Sequence, residues 1–467
     1  MKHFFISTRK RHKISILFVL FLLTLMASCN KKWLEAKSDI TLTVPENVKD
    51  LQALLDNSSI FNTIGSYVGL IGTDELLLKD AVWTSQSTEI RNTYIWKENI
   101  FEESVTSNST WNLLYNRVLY ANIVLDRALK IDIDMRNKED VERIRASALF
   151  FRALAHYEVA QLFAPYYKFD ITSEQQGIPL RTSSDFNVPL TRATLKDTYN
   201  HILNDLHSAI SYLPRMPNTY KTQPSKAAAH ALLARIYLSI EDYSNALLHS
   251  DSSLAINKRL INYTDLNSVS ANPMPLIVEN EELLFLNSIS ASTATVNGGV
   301  DTVLYQLYDE NDLRKSIFFS GNYPDIKFKG NYNSLTAVRF FNGLATDEQY
   351  LIRAECYARK GEVEKAVEDY NVLIKARWNP NSFVPLVESD PEVVLSKIIL
   401  ERRKELVFRN CIRWSDLKRL NNDNRYKTTL SRKLYNQTYT LPPNDLRYVL
   451  LIPPDVIRMS NIPQNPR

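Results

Sequence analysis

Apolar residues in this chain recur mostly at helical intervals. Over 139–164, Phe150, Ala153, Tyr157, Ala160 and Ala164 step by 3, 4, 3 and 4, one face of a 3.6-residue period, and Pro165 closes the run. The same pattern predicts helices over Val48–Asp56 and over Thr110–Leu129, the latter through Leu113, Leu114, Val118, Ala121 and Leu125. A further helix is expected from the cap Thr194 to Leu213, stopped by Pro214, and an Ala-rich one over Ala227–Ile240.

Two stretches share a spacing. Ala234, Tyr237 and Ala246 repeat the offsets of Ala354, Tyr357 and Ala366, each around a polar break, Glu241-Asp242 and Gly361-Glu362. Small residues there let paired helices approach closely, which is the tetratricopeptide pattern. The copies start 120 residues apart, so they read as hairpins embedded in a larger unit and not as a tandem array. Between them the character changes. Asn272-Pro273-Met274-Pro275, the Ser/Thr-rich 287–295 and Asn297-Gly298-Gly299 are turn signals, and Ile326–Phe328 and Ala337–Phe340 alternate like short strands. Region 60–106 is also irregular and rich in aromatic residues. Loops of this kind on a helical scaffold usually carry binding.

The N-terminus has a separate logic. Lys2, Arg9, Lys10, Arg11 and Lys13 precede an apolar run from Ile14 to Ala27, with no acid before Glu35. That run is short of the about 20 residues a membrane span needs and suits an export signal. Leu25-Met26-Ala27-Ser28-Cys29 is similar to a bacterial lipobox, which makes Cys29 the first mature residue and the site of acyl chains, palmitate among them. Cleavage removes five of the 56 basic residues and leaves 51 against 52 acidic ones, so the formal +4 belongs to the signal. A near-neutral mature chain offers no electrostatic case for nucleic acid. The cluster Arg402-Arg403-Lys404, Arg409, Arg413 and Lys418-Arg419, interleaved with Glu401, Glu405 and Asp416, reads as ion pairs on helix surfaces.

Enzyme and cofactor signatures are missing. The ten Gly form neither G-x-G-x-x-G nor a P-loop, and the three Cys form no C-x-x-C pair. There is no H-E-x-x-H and no G-x-S-x-G, and Asp132-x-Asp134 lacks the Gly and Glu of a calcium loop. His156, His201, His207, His230 and His249 read as core or surface histidines, and Cys356 and Cys411 as free thiols. No catalytic residue, metal or cofactor is expected.

Ordered motifs along nearly the whole chain carry a family resemblance. They run from Cys29 and the Pro45–Asn57 helix to Arg145-Ala146-x-Ala148-x-x-Phe151-Arg152-Ala153 with Tyr157 and Leu162. Gly177-Ile178-Pro179-Leu180, Ala227–Leu238 with Asp242-Tyr243 and Ala246, and Asn311-Asp312-x-Arg314 follow. Tyr350-Leu351-Ile352-Arg353-Ala354-Glu355 leads to Gly361 and Ala366, then Glu401-Arg402-Arg403-x-Glu405-Leu406 and Arg413-Trp414-x-Asp416-Leu417-Lys418-Arg419. Leu451-Ile452-Pro453 and Gln464-Asn465-Pro466 close the series. In this it resembles the SusD/RagB family of Bacteroidetes outer-membrane lipoproteins. One departure is Arg409-Asn410-Cys411-Ile412, where the family has a shorter, Gly-containing turn.

The resemblance implies a mainly α, SusD-like fold of tetratricopeptide-like hairpins plus a loop-rich part with a few short strands. It divides the chain into a signal (1–28), a lipid-anchored tether (29–45), an N-terminal helical part (46–260), a loop-rich ligand-side insertion (261–345) and a C-terminal part (346–467). It implies a non-enzymatic protein, anchored through Cys29 on the outer face of the outer membrane. There it would bind an oligosaccharide or a peptide and deliver it to a SusC-like TonB-dependent barrel transporter. The alternatives are a tetratricopeptide-like envelope scaffold and a surface glycoside hydrolase. For ligand contact, segment 70–100 offers Trp83, Tyr94 and Trp96 near Asp74, Arg91 and Asn99, aromatic faces beside hydrogen-bonding groups; Tyr305 and Tyr308 are further candidates. Trp111 and Trp414 sit in helical patterns and are expected in the core. Trp96→Ala is expected to weaken binding and spare stability.

Overall fold

Helix α3 (Lys138–Phe163) is the spine of the N-terminal half. Glu139 and Asp140 in its first turn oppose the helix dipole, and the chain leaves the helix at the extended Ala164, as the residue before a proline must. From Ala146 to Phe163 every residue except Leu149 is buried, because α2 (Thr110–Ala128) and α4 (Leu195–Ile210) both pack along it. In this computed structural model the described residues are 45–63, 65, 67–101, 110–169, 174–217, 220–332, 339–409 and 411–467. The export signal, Cys29, most of the tether, and Ala337 and Val338 of one expected strand lie outside them.

Caps set the helix starts, as expected at Thr194. Asn47 opens α1 (Val48–Leu55) by accepting the Asp50 N–H at 3.0 Å. Thr194 accepts the Asp197 N–H at 3.0 Å and donates its own hydroxyl to that carboxylate at 2.8 Å. Helix α4 stops at Ile210, three residues short of the expected end. Pro214 disfavours helical geometry just before it, and past the helix end the Tyr212 and Leu213 N–H groups share the Ala209 carbonyl in a turn. Ser225 caps α5 (Lys226–Ser239) and Asp242 caps α6 (Tyr243–Ile256).

The repeated spacing marks two helical hairpins, α5/α6 and α7/α8 (Thr346–Arg359 and Val363–Lys375). Ala234, Ala246, Ala354 and Ala366 are all fully buried where the helices meet. At the second bend Gly361 sits at φ +77° with open space around its missing Cβ, so the left-handed turn alone demands glycine. Although 120 residues separate the repeats, α6 packs on α7. The hairpins are therefore neighbours, with the loop-rich segment extruded between them. Helix α9 (Pro391–Glu405), capped by Asp390, packs on α7 and α8. Helix α10 (Ile412–Leu420) follows a turn in which Phe408 and Cys411 both adopt φ +58°.

The strands form six two-stranded antiparallel pairs among the described residues. Asp325–Phe328 pairs with Phe319–Asn322, and Arg339–Phe341 with Ser288–Ser290. Leu76–Leu77 pairs with Gly299–Val300, which fastens the 70–100 segment to the loop-rich part. Region 60–106 holds short helices, Ser58–Phe61, Val68–Ile71, Asp80–Thr84 and Thr88–Tyr94, too brief to display a period. Trp111 and Trp414 are in the core, as expected.

The basic cluster corrects the sequence reading. Arg402, Lys404, Arg409, Lys418 and Arg419 are buried, not surface; the ion pairs of the three arginines and Lys404 are internal struts, and Lys418 bonds backbone carbonyls. Arg314 pairs with Asp312 (2.7 Å), Glu405 (2.8 Å) and Glu401; Arg377 bridges Glu405 (2.8 Å) and Glu282 (2.6 Å); Arg409 pairs with Asp347. This network joins the loop-rich segment (Glu282, Asp312, Arg314) to α7 and α9. A second joins Arg235, Glu348, Arg402, Asp416, Arg419 and Glu355 across α5, α7, α9 and α10. Alternating charge reads alike on a wet surface and in a paired interior; the weight of Arg, whose fork bonds carboxylates bidentately, fits the interior.

Candidate ligand groove in the loop-rich segment

A groove of about 750 Å³ opens on the loop-rich segment, lined among others by Tyr305, Gln306, Lys315, Phe319, Tyr323 and Lys329. Short elements hold it. Asp301 caps the helix Thr302–Tyr305 by accepting the Leu304 N–H at 3.0 Å, and the next helix spans Arg314–Phe318. The chain then enters the Phe319–Asn322/Asp325–Phe328 hairpin, whose turn carries Gly321 at φ +93° and a cis Tyr323–Pro324 bond.

Inside the groove, Tyr305 packs edge-on against the buried Phe319 at 5.5 Å. Lys315 lies 5.3 Å above the Tyr305 ring and reaches Glu310 at 2.5 Å. Tyr323, 56% exposed, accepts a hydrogen bond from Gln306 Nε2 at 3.2 Å. Lys329 donates to the Ser268 and Ser270 carbonyls at 2.6 and 3.0 Å and so pins the far wall; partial burial lowers its pKa. The floor is anchored through Asp312, which the buried Arg314 and Lys404 grip at 2.7 Å each. The result is two accessible phenol rings beside an amide, an ammonium and a carboxylate. Such a surface stacks on an apolar ring face and hydrogen-bonds hydroxyls or amides around its edge.

The structure scatters the residues singled out from sequence. Tyr305 lies in the groove. Trp83, half-buried, stands beside Tyr435 at 6.5 Å, with its indole N–H given to the Arg91 carbonyl at 3.1 Å. It lies outside the groove lining, although a Lys79–Asp325 ion pair ties its segment to the groove hairpin. Tyr308 is buried, with its hydroxyl donated to the Lys404 carbonyl at 2.8 Å. Tyr94 and Trp96 are core residues that flank Arg432, whose guanidinium lies 3.6 Å from one ring and 4.5 Å from the other. The Trp96 indole donates to the Gly72 carbonyl at 2.8 Å; a Cβ on Gly72 would sit 2.8 Å from the Trp414 ring. Asn99 is exposed but turned to its own backbone, accepting the Phe101 N–H at 3.1 Å.

Asp74 is consumed by ion pairs, with Arg413 at 2.7 Å and Arg403 at 2.9 Å. Although burial opposes ionisation, the two guanidiniums hold its carboxyl below the usual range. Its neighbour Glu75 makes no ion pair among the described residues: burial and the Asp74 charge outweigh the field of Arg413 and Arg403 and push it up to about 8, so at neutral pH it is mainly a protonated acid. Sequence reasoning missed Gln306, Lys315, Tyr323 and Lys329. The Gly321–Pro324 turn was the available signal, since a tyrosine at a hairpin tip is exposed by position. Among the described residues, no group of three or more His, Cys, Asp or Glu is placed to hold a metal.

Comparison with known proteins bears on what this groove belongs to. Residues 32–238 match the SusD-like family described as starch-binding and associating with the outer membrane. The chain is 26% identical to SusD-like protein P2 of Formosa agariphila, over 98% of this chain and 99% of that one. Among solved structures, a SusD superfamily protein from Bacteroides vulgatus superposes with a TM-score of 0.70 at 20% identity, covering 90% of this chain and 99% of the other. A SusD-like carbohydrate binding protein from the same species gives a TM-score of 0.63 at 19% identity, with 89% and 97% covered. Residues 32–238 are thus similar to the SusD-like family, and the chain as a whole has the mainly helical SusD-like fold of these structures.

Proposed function

We propose that this protein is a lipid-anchored component of the outer-membrane surface that captures an oligosaccharide in the loop-side groove. From there it delivers its ligand to a SusC-like TonB-dependent barrel. The observation that carries the reading is the groove itself: the Tyr305 and Tyr323 rings, with Gln306 and Lys315, stand on a segment clamped by buried ion pairs. Stacking on the C–H face of a sugar needs such rings held rigidly, because disorder lost on binding weakens affinity. The family description as starch-binding, and the carbohydrate-binding relative of the same fold, favour a glycan over a peptide.

In this reading the protein acts by binding alone, with Cys29 acylated, segment 261–345 as the ligand side, and 46–260 and 346–467 as scaffold. The helical hairpins supply the face for the barrel. Gentle detergent extraction of the lipidated protein from its native outer membrane, followed by mass spectrometry, tests delivery. A TonB-dependent barrel should co-purify in near-equal amount, and its absence under conditions that preserve other envelope complexes would remove the transporter from the account. Panels of oligosaccharides and peptides test the ligand class.

A further inference from the structure

A second cavity, of about 590 Å³, shares no lining residue with the loop groove. It lies where the end of α3 meets the C-terminal segment, between Pro165–Tyr166, the 175–192 strand pair and residues 418–466. Its volume is in the range of small-molecule sites. Its polar lining is unbalanced in one direction, toward donors and positive charge.

Four groups make that imbalance. Lys418, buried, donates to the Gln161 and Ala164 carbonyls at 3.0 and 2.7 Å, which uses two of its three protons. Among the described residues it has no carboxylate partner, and burial lowers its pKa to about 7. Arg192 is satisfied by carbonyls alone, those of Gly177 (2.9 Å), Pro463 (3.1 Å) and Gln176 (3.3 Å). Asn421 Nδ2 and the Tyr448 hydroxyl, on residues only 3% exposed, lie near each other without completing a hydrogen bond. Among the described residues the one acid in the lining, Asp445, is already held by Arg447 through two bonds of 2.8 Å.

Helix-end capping accounts for part of this, since Lys418 serves the last carbonyls of α3. Among the described residues it leaves two buried donors without a hydrogen bond, Arg192 without a carboxylate, and Lys418 at a near-neutral pKa that a bound anion would raise. An unsatisfied buried donor costs about 1–3 kcal/mol, so such an arrangement calls for an acceptor. A neutral sugar would fill the volume but leave the charge uncompensated.

We infer that this cavity is a second ligand site that takes the carboxylate of a small organic acid, such as an acidic sugar or the C-terminus of a short peptide. The carboxylate oxygens would accept from Tyr448 Oη, Asn421 Nδ2 and the remaining Lys418 proton, with Arg192 adding charge at the rim.

Calorimetric titration of the whole purified chain tests the inference with sodium D-glucuronate against D-glucose, and with a free tripeptide against its C-terminal amide. One carboxylate probe should bind with unit stoichiometry and its neutral partner at least about tenfold more weakly. The pair that shows the effect identifies the source. Tyr448→Phe keeps the ring packed on Trp414 at 5.0 Å and removes only the hydroxyl; it should weaken binding by about five- to tenfold. Asn421→Asp, near-isosteric, should abolish it. Unchanged melting curves would confirm that both variants fold. Equal binding of charged and neutral probes, no binding of either carboxylate, or native affinity in both folded variants would overturn the proposal.

Discussion

Arg377→Met tests how the loop segment is held. The guanidinium donates to Glu405 at 2.8 Å, to Glu282 at 2.6 Å and to the Ile261 carbonyl at 2.7 Å, and lies 4.1 Å from the Tyr263 ring centroid. Arg377, Glu282 and Glu405 side chains are all 0% exposed. Methionine keeps much of the volume but leaves two buried carboxylates facing each other's field. Removing one partner of a buried pair costs about 3–5 kcal/mol, and loss of a cation shared by two acids belongs near the upper end. The pH dependence is the sharper signature. Burial already raises Glu282 to about 7, and without Arg377 it rises further. A carboxyl whose folded pKa exceeds its unfolded one makes the folded state hold a proton that the unfolded state releases. Stability is therefore lost as pH climbs from the unfolded value toward the folded one. Urea unfolding followed by circular dichroism should show a larger deficit at pH 8 than at pH 6. A deficit below about 1 kcal/mol at both values, or one that grows on acidification, would refute the strut argument.

Trp96→Ala should cost about 3–5 kcal/mol, because it empties a core site and removes the hydrogen bond to Gly72. An unchanged melting temperature would restore the earlier expectation that this indole is free for ligand. Gly361→Ala should cost about 1 kcal/mol through backbone strain alone, read as a lower unfolding midpoint; a gain in stability would contradict the φ +77° turn. Acid should destabilise the fold below pH 6.5: burial lowers His156 well below its ordinary value and His249 to about 3, so the unfolded chain takes up protons that the folded one refuses. His249→Gln should flatten the pH dependence of the melting temperature, and an unaltered slope would assign it elsewhere.

Long helices were legible from sequence because period, cap and breaker agree, as at Thr194 and Pro165. The hairpin pairs were legible from four alanines, but their adjacency was not, since nothing local records that an intervening segment loops out. The buried charge networks were misread because Arg402 or Arg419 beside acids looks the same on a surface. Of the aromatic candidates, Tyr305 reached the groove, whereas Tyr94, Trp96 and Tyr308 were taken into the core. Aromatic identity reports buried area and stacking alike, so position must decide between them. Gln306, Lys315 and Tyr323 come together only through a hairpin and two short helices, each too brief to leave a periodic trace.

The most direct test is titration of oligosaccharides into the whole chain and into Tyr305→Ala/Tyr323→Ala. At least one glycan should bind the native protein, and the double variant, folded and of near-native melting temperature, should bind it at least about tenfold more weakly. A glycan bound with equal affinity by both proteins would contradict the loop groove as the ligand site.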